Sequence, residues 1–153
     1  SNVTIVNDGD AARYEKIAYI AYSEIARKTL HVCFMLGTDQ NCSHCVKCCR
    51  TMINLELLGV LDQFSTFDAR LLTPDNISRI FSYDEFDRDV LRSLQVLAKE
   101  KGREDIVQAI ERSFRHTDRI ERCWRIIRAW KQRYRLRKAA GVFEKILLRN
   151  TIL

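Results

Sequence analysis

Apolar positions along the chain recur at three- and four-residue intervals, the spacing of helices that each bury one face. Tyr14, Ile17, Ala21, Ile25, Val32 and Met35 follow this rhythm, so a first helix is predicted from an Asp10 cap to about Leu36, with Gly37 as its stop. A tight connection over residues 37–41 leads to a second predicted helix, about residues 43–61, carrying Val46, Cys49, Ile53, Leu57 and Leu61. So short a link predicts an antiparallel helical hairpin. Residues 62–72 read as a loop pinned to the core by Phe64, Phe67, Leu71 and Leu72. Thr73-Pro74-Asp75 opens a short helix ending near Phe81, with Thr as cap, Pro in the first turn and an acid behind it. Ser82-Tyr83-Asp84-Glu85 has capping-box spacing and opens another, through Phe86, Val90, Leu94 and Leu97 to Lys101, with Gly102 as its end. From Arg103 to about Asn150 the pattern stays helical. Asp118 and Glu121 repeat the capping-box spacing and predict a break near Thr117, and Gly141 is a second weak point.

Composition agrees with this pattern. One proline and five glycines in 153 residues are too few for the turns of an all-β fold. The expectation is an all-α bundle of five to seven helices, a single domain over 1–153 with residues 1–9 flexible. No apolar run approaches the ~20 residues that span a bilayer. The opening residues do not resemble a signal peptide, so an intracellular protein with mostly reduced cysteines is expected.

Charge changes the picture more. Eleven of the basic residues lie between Arg112 and Lys138 against only Asp118 and Glu121, a local charge of +9 in a chain whose net charge is +6. The remainder is mildly acidic, at −3. Nine of the eleven are arginine, which grips phosphate with two parallel hydrogen bonds and stacks on bases. Nucleic acid is the expected partner, RNA or single strands before duplex, or else an acidic protein. The candidate contact residues are Arg119, Arg122, Arg125, Arg128, Lys131, Arg133, Arg135, Arg137 and Lys138, with Trp130 and also Trp124 or Tyr134 for stacking. The alternative is a solvated helix whose arginines pair with acids elsewhere in the fold. A basic amphipathic helix is also what calmodulin binds. Ile126-Ile127-Arg128-Ala129-Trp130-Lys131-Gln132-Arg133-Tyr134 resembles a degenerate IQ motif, with Ile127 where the defining Gln stands and Gln132 in place of the Gly.

Five of the six cysteines fall between positions 33 and 49, with His31 and His44 among them. Cys42-x2-Cys45 and Cys45-x2-Cys48 have the spacing of a zinc knuckle, and a turn between two helices would bring Cys33 to them. The ligand set expected for a structural zinc is Cys33, Cys42, Cys45 and Cys49, with His31 and Cys48 as alternatives for the last place. Buried inert thiols are the competing reading. Cys123 stands apart and reads as a core residue.

Catalytic signatures do not emerge. The chain has no Gly-rich phosphate loop, no Gly-x-Ser-x-Gly and no His-Glu-x-x-His. The acids at Asp84, Glu85, Asp87 and Asp89 sit where a helix N-terminus favours them. A non-enzymatic binding protein is expected. Leu55-Glu56-Leu57-Leu58-Gly59-Val60-Leu61, Leu71-Leu72-Thr73-Pro74-Asp75-Asn76-Ile77 and Gly102-Arg103-Glu104-Asp105-Ile106-Val107 resemble the later helices of the death-effector branch of the death-fold superfamily. In that family an Arg-x-Asp-Leu motif opens the last helix, to which Arg103-Glu104-Asp105-Ile106 is similar. The resemblance implies a six-helix adaptor that acts by homotypic assembly, so an interaction module or self-associating subunit is the alternative function.

Overall fold

A computed structural model describes residues 13–34 and 40–134, with side chains for 14–34 and 40–129. Among these residues the chain is all-α, with α1 (Arg13–Ile20), α2 (Glu24–Thr29), α3 (Val46–Leu57), α4 (Pro74–Ser78), α5 (Glu85–Glu100) and α6 (Glu104–Tyr134). The Asp10 cap, the flexible 1–9, Met35, the Gly37 stop, Gly141 and the helix beyond residue 134 lie outside the described residues.

Ten of the twelve residues of α3 are buried, so this helix is wrapped on nearly every side. One face, through Val46, Cys49, Ile53 and Leu57, packs with Ile77 of α4, Leu91 and Leu94 of α5, and Ile106 and Ile110 of α6. The other, through Cys48, Met52 and Leu55, packs with Ile17 and Ala21 and with Phe64 and Phe67 of the following loop. The predicted pinning of that loop holds: Phe64 and Phe67 are buried.

Four expected boundaries move, each for a local reason. The single helix predicted over 10–36 is two helices. Ser23 caps α2 by accepting Ala26 N–H, while Arg27 Nε donates to the Ala21 carbonyl at the end of α1. Beyond Thr29 the backbone leaves the helix because side chains take its polar groups. Asn41 Nδ2 and Thr66 Oγ1 donate to the Leu30 carbonyl, and Asn41 Oδ1 accepts from Val32 and Cys33 N–H. The second helix begins at Val46 and ends at Leu57, short of Leu61. Gly59, at φ 71°, turns the chain out of it, with Val60 N–H bonded to Leu55 O and Gly59 N–H to Glu56 O. The cap of α5 is Asp84, whose carboxylate accepts Asp87 N–H, rather than Ser82.

Finally, α6 runs unbroken through Thr117. The i, i+3 spacing of Asp118 and Glu121 that imitates a capping box also puts two side chains on one helix face. Arg88 of α5 holds both, at 2.8 Å and 3.7 Å. Thr117 is fully buried, and its hydroxyl accepts Ser82 N–H at 3.2 Å, tying α6 to the chain before α5.

Candidate metal centre and basic face

The side chain of Asn41 decides where the cysteines meet. Its bonds to Leu30, Val32 and Cys33 hold the 30–33 segment beside the start of α3, while its own N–H reaches Thr66 O. Ser43 then takes a left-handed backbone, φ 58°, with its hydroxyl accepting Asp68 N–H. That turn folds Cys42 back so that its sulfur accepts Cys45 N–H at 3.3 Å. Such N–H bonds favour a thiolate, the form that binds metal.

Cys33, Cys42, Cys45 and Cys48 thus bring four sulfurs within 4.8 Å of one another. Two of the separations are 4.0 Å (Cys33 to Cys45) and 3.8 Å (Cys42 to Cys48). A tetrahedron of thiolates at about 2.3 Å from one ion has edges of about 3.8 Å, so the four sulfurs fit a single tetrahedral ion. In the thiol form they share protons: the Cys48 contact holds Cys45 below the ordinary thiol range, and the same contact pushes Cys48 up. A bound cation would relieve that crowding by replacing the protons.

The structure brings Cys48, not Cys49, to Cys33, Cys42 and Cys45. One residue is about 100° around a helix, so Cys49 faces the α4–α5–α6 side of α3, where burial pushes its thiol up to about 12. His31 and His44 are exposed, and His44 Nδ1 lies 2.6 Å from Cys42 O. No disulfide joins the six cysteines, and Cys123 is half-buried rather than a core residue. Asn41 and Ser43 position this cluster although neither ligates. Asn41 immediately before Cys42 was the available signal, since Asn is a turn former.

On α6, Arg112, Arg115, Arg119, Arg122, Arg125 and Arg128 are exposed. Among the described residues none of the six is held by a carboxylate, whereas Asp118 and Glu121 of the same helix are engaged by Arg88. Arg112, Arg115 and Arg119 lie with Arg79 of α4 and His116 along a groove of about 550 Å³. Trp124 and Ile127 are half-buried and Ile126 is 52% exposed. The side chains of Trp130, Lys131, Arg133 and Tyr134, and residues Arg135, Arg137 and Lys138, lie outside the described residues.

At the opposite end of α6, Arg103 Nη1 donates to Glu56 at 2.6 Å, and its Nε and Nη2 grip both oxygens of Asp105, at 3.0 and 2.9 Å. This bridge joins the end of α3 to the first turn of α6 and holds Asp105 below the usual carboxylate range.

No family model, curated protein or solved structure matches the chain. No helix among those described is long and apolar enough to cross a membrane.

Proposed function

We propose that this is a non-enzymatic helical binding protein, stabilised by zinc on Cys33, Cys42, Cys45 and Cys48, that contacts nucleic acid through the arginine face of α6. The observation that carries the reading is the row of six exposed arginines without a carboxylate partner among the described residues. Had they served the fold, acids of α5 or of the loops would hold them. Instead Asp118 and Glu121 of α6 are held by Arg88 of α5. Half-buried Trp124 is an aromatic side chain of the kind on which single-strand binders stack bases, which favours RNA or single strands over duplex. Zinc is favoured over other ions because four thiolates in a tetrahedron suit a structural zinc site. Six cysteines with no disulfide between them suit a reducing, intracellular setting.

The test is binding of a generic single-stranded RNA across a salt series. Affinity should fall with a slope of about −0.7 in log K against log salt for each phosphate neutralised. Absence of binding at low salt, or binding indifferent to salt, rejects the nucleic-acid reading. Metal analysis of protein purified without added metal tests the zinc.

One observation favours a second reading, an assembly module. The Arg103 bridge to Glu56 and Asp105 uses the residues that carry the death-effector resemblance. The same molecule also exposes Glu85 and Asp89 on α5 as well as the arginines of α6, so copies have complementary surfaces to offer one another. Sedimentation over a concentration series tests this. Self-association weakened by salt and by Arg103→Ala supports it, and a monomer at all concentrations rejects it.

A further inference from the structure

The arginines of α6 are not equivalent. Arg112, Arg115 and Arg119 fall at i, i+3 and i+7, a narrow stripe covering two helical turns, about 10 Å of helix. That stripe faces away from the buried Ser113, Thr117 and Ile120. Arg125 and Arg128 drift around the helix from it. Arg79, at the C-terminal cap of α4, brings a fourth guanidinium to the stripe from a different element, and the groove between the two helices is where all four meet. A solvated helix face has no need of such convergence. Like charges brought together from two elements repel, and a groove that collects them is most stable with an anion in it.

The immediate surroundings strengthen this. Arg79 keeps an exposed ion pair with Asp75, 2.7 Å away on the same short helix. A pair that exposed holds its partner only weakly, so one edge of the guanidinium can turn to a ligand while Asp75 steadies the other. His116 stands among the arginines, and its imidazole is held below the usual histidine range first by burial and then by Arg119 and Arg79. That imidazole is therefore neutral near pH 7, and the positive charge of the groove is carried by its four guanidinium groups. It is also open, with about 550 Å³ of space, more than one enclosed ion would fill.

We propose that the groove lined by Arg79, Arg112, Arg115 and Arg119 is the seat of the phosphodiester backbone of a single-stranded nucleic acid. The assignment deepens the nucleic-acid reading and rests on it. It also moves the primary contact toward the N-terminal half of the basic segment and adds Arg79, which lies 36 residues before Arg115 in sequence and beside the stripe in space. Successive phosphates lie along the stripe, each taken by the planar fork of one guanidinium.

The test compares two pairs of charge reversals in the full chain, Arg112→Glu with Arg115→Glu and Arg125→Glu with Arg128→Glu, by fluorescence anisotropy of a labelled twelve-nucleotide oligouridylate. All four positions are exposed, and the neutral Arg112→Gln with Arg115→Gln guards against a fold effect of the reversal. The groove pair, in both versions, should lose tenfold or more in affinity and flatten the salt slope by roughly 0.7 for each phosphate contact removed, with the outer pair losing less. Inorganic pyrophosphate should compete with the oligonucleotide and shift the His116 imidazole ring resonances in NMR spectra of the wild type but not of the groove pair. Oligouridylate binding that survives in the groove pair and fails in the outer pair overturns the placement while leaving the nucleic-acid reading intact. Absence of oligouridylate binding by the wild-type chain overturns both. A His116 response to pyrophosphate without oligonucleotide binding shows a site for small phosphates and overturns the backbone assignment.

Discussion

Asp87 of α5 holds Arg50 of α3 in an ion pair whose side chains are only 13% and 6% exposed. The second oxygen of Asp87 accepts Tyr83 N–H at 3.1 Å, so one carboxylate both starts α5 and fastens it to the central helix. Among the described residues Arg50 Nε has no hydrogen-bond partner. Removing the acid would strand a buried cation. Asp87→Ala should cost about 3–5 kcal/mol, while the paired change Arg50→Met with Asp87→Leu should cost far less. Urea denaturation of the two variants measures this, and equal losses for single and paired changes would contradict it.

The cysteines give a sharper contrast, because adjacent residues have different duties. Cys48→Ser should abolish stoichiometric metal binding and, with it, the thermal stabilisation that metal gives the wild-type protein. Cys49→Ser should keep the metal and cost about 1–3 kcal/mol for burying a hydroxyl without a partner. Metal content and free-thiol titration with and without chelator decide the matter. Retention of metal by Cys48→Ser with loss in Cys49→Ser would reverse the ligand assignment. In the wild-type protein the metal should also leave as pH falls, since protons compete for the thiolates.

Thr117 and Ser82 supply a third test. Thr117→Val keeps the shape but removes the acceptor for the buried Ser82 N–H, which should cost about 1–3 kcal/mol. Helix content by circular dichroism should stay unchanged, because α6 does not break at this position. A loss of helix content would indicate that the hydroxyl shapes α6 itself.

His116 makes stability depend on pH. Its folded value lies below the ordinary 6.5, from burial first and then Arg119 and Arg79. The unfolded chain therefore takes up a proton first as pH falls. The contribution of neutral His116 is fully present above 6.5 and is lost as pH falls through the folded value. In phosphate-free buffer, His116→Gln should flatten the fall in urea midpoint between about pH 7.5 and 5.5. An unchanged slope would place the titration elsewhere.

The predictions differ in how much of their basis was legible in the chain. Thr73 as the cap of α4 and Gly102 as the end of α5 were read correctly, because each acts on backbone groups within three or four residues of itself. Gly59 carries the same kind of signal, and the apolar run continuing through Val60 and Leu61 concealed it. Asp118 and Glu121 show the limit of such reading. Their spacing is compatible with a cap and with a shared helix face, and only Arg88 on another helix chooses between them. The first helix failed similarly, since Asn41 and Thr66, distant in sequence, take over the polar groups of residues 30–33.

By itself the sequence determined the helical class, the location of the cysteine cluster and the basic stretch, because periodicity, clustering and charge density are properties of neighbouring residues. Tertiary structure decided the rest. It set Cys48 rather than Cys49 beside Cys33, since Asn41 fixes which face of α3 the earlier strand of chain meets. It also brought Arg79 to the α6 stripe while Arg88 removed the competing acids. A side chain's partners depend on which helix lies across from it, and packing of the buried faces of α3, α5 and α6 settles that over the whole chain at once.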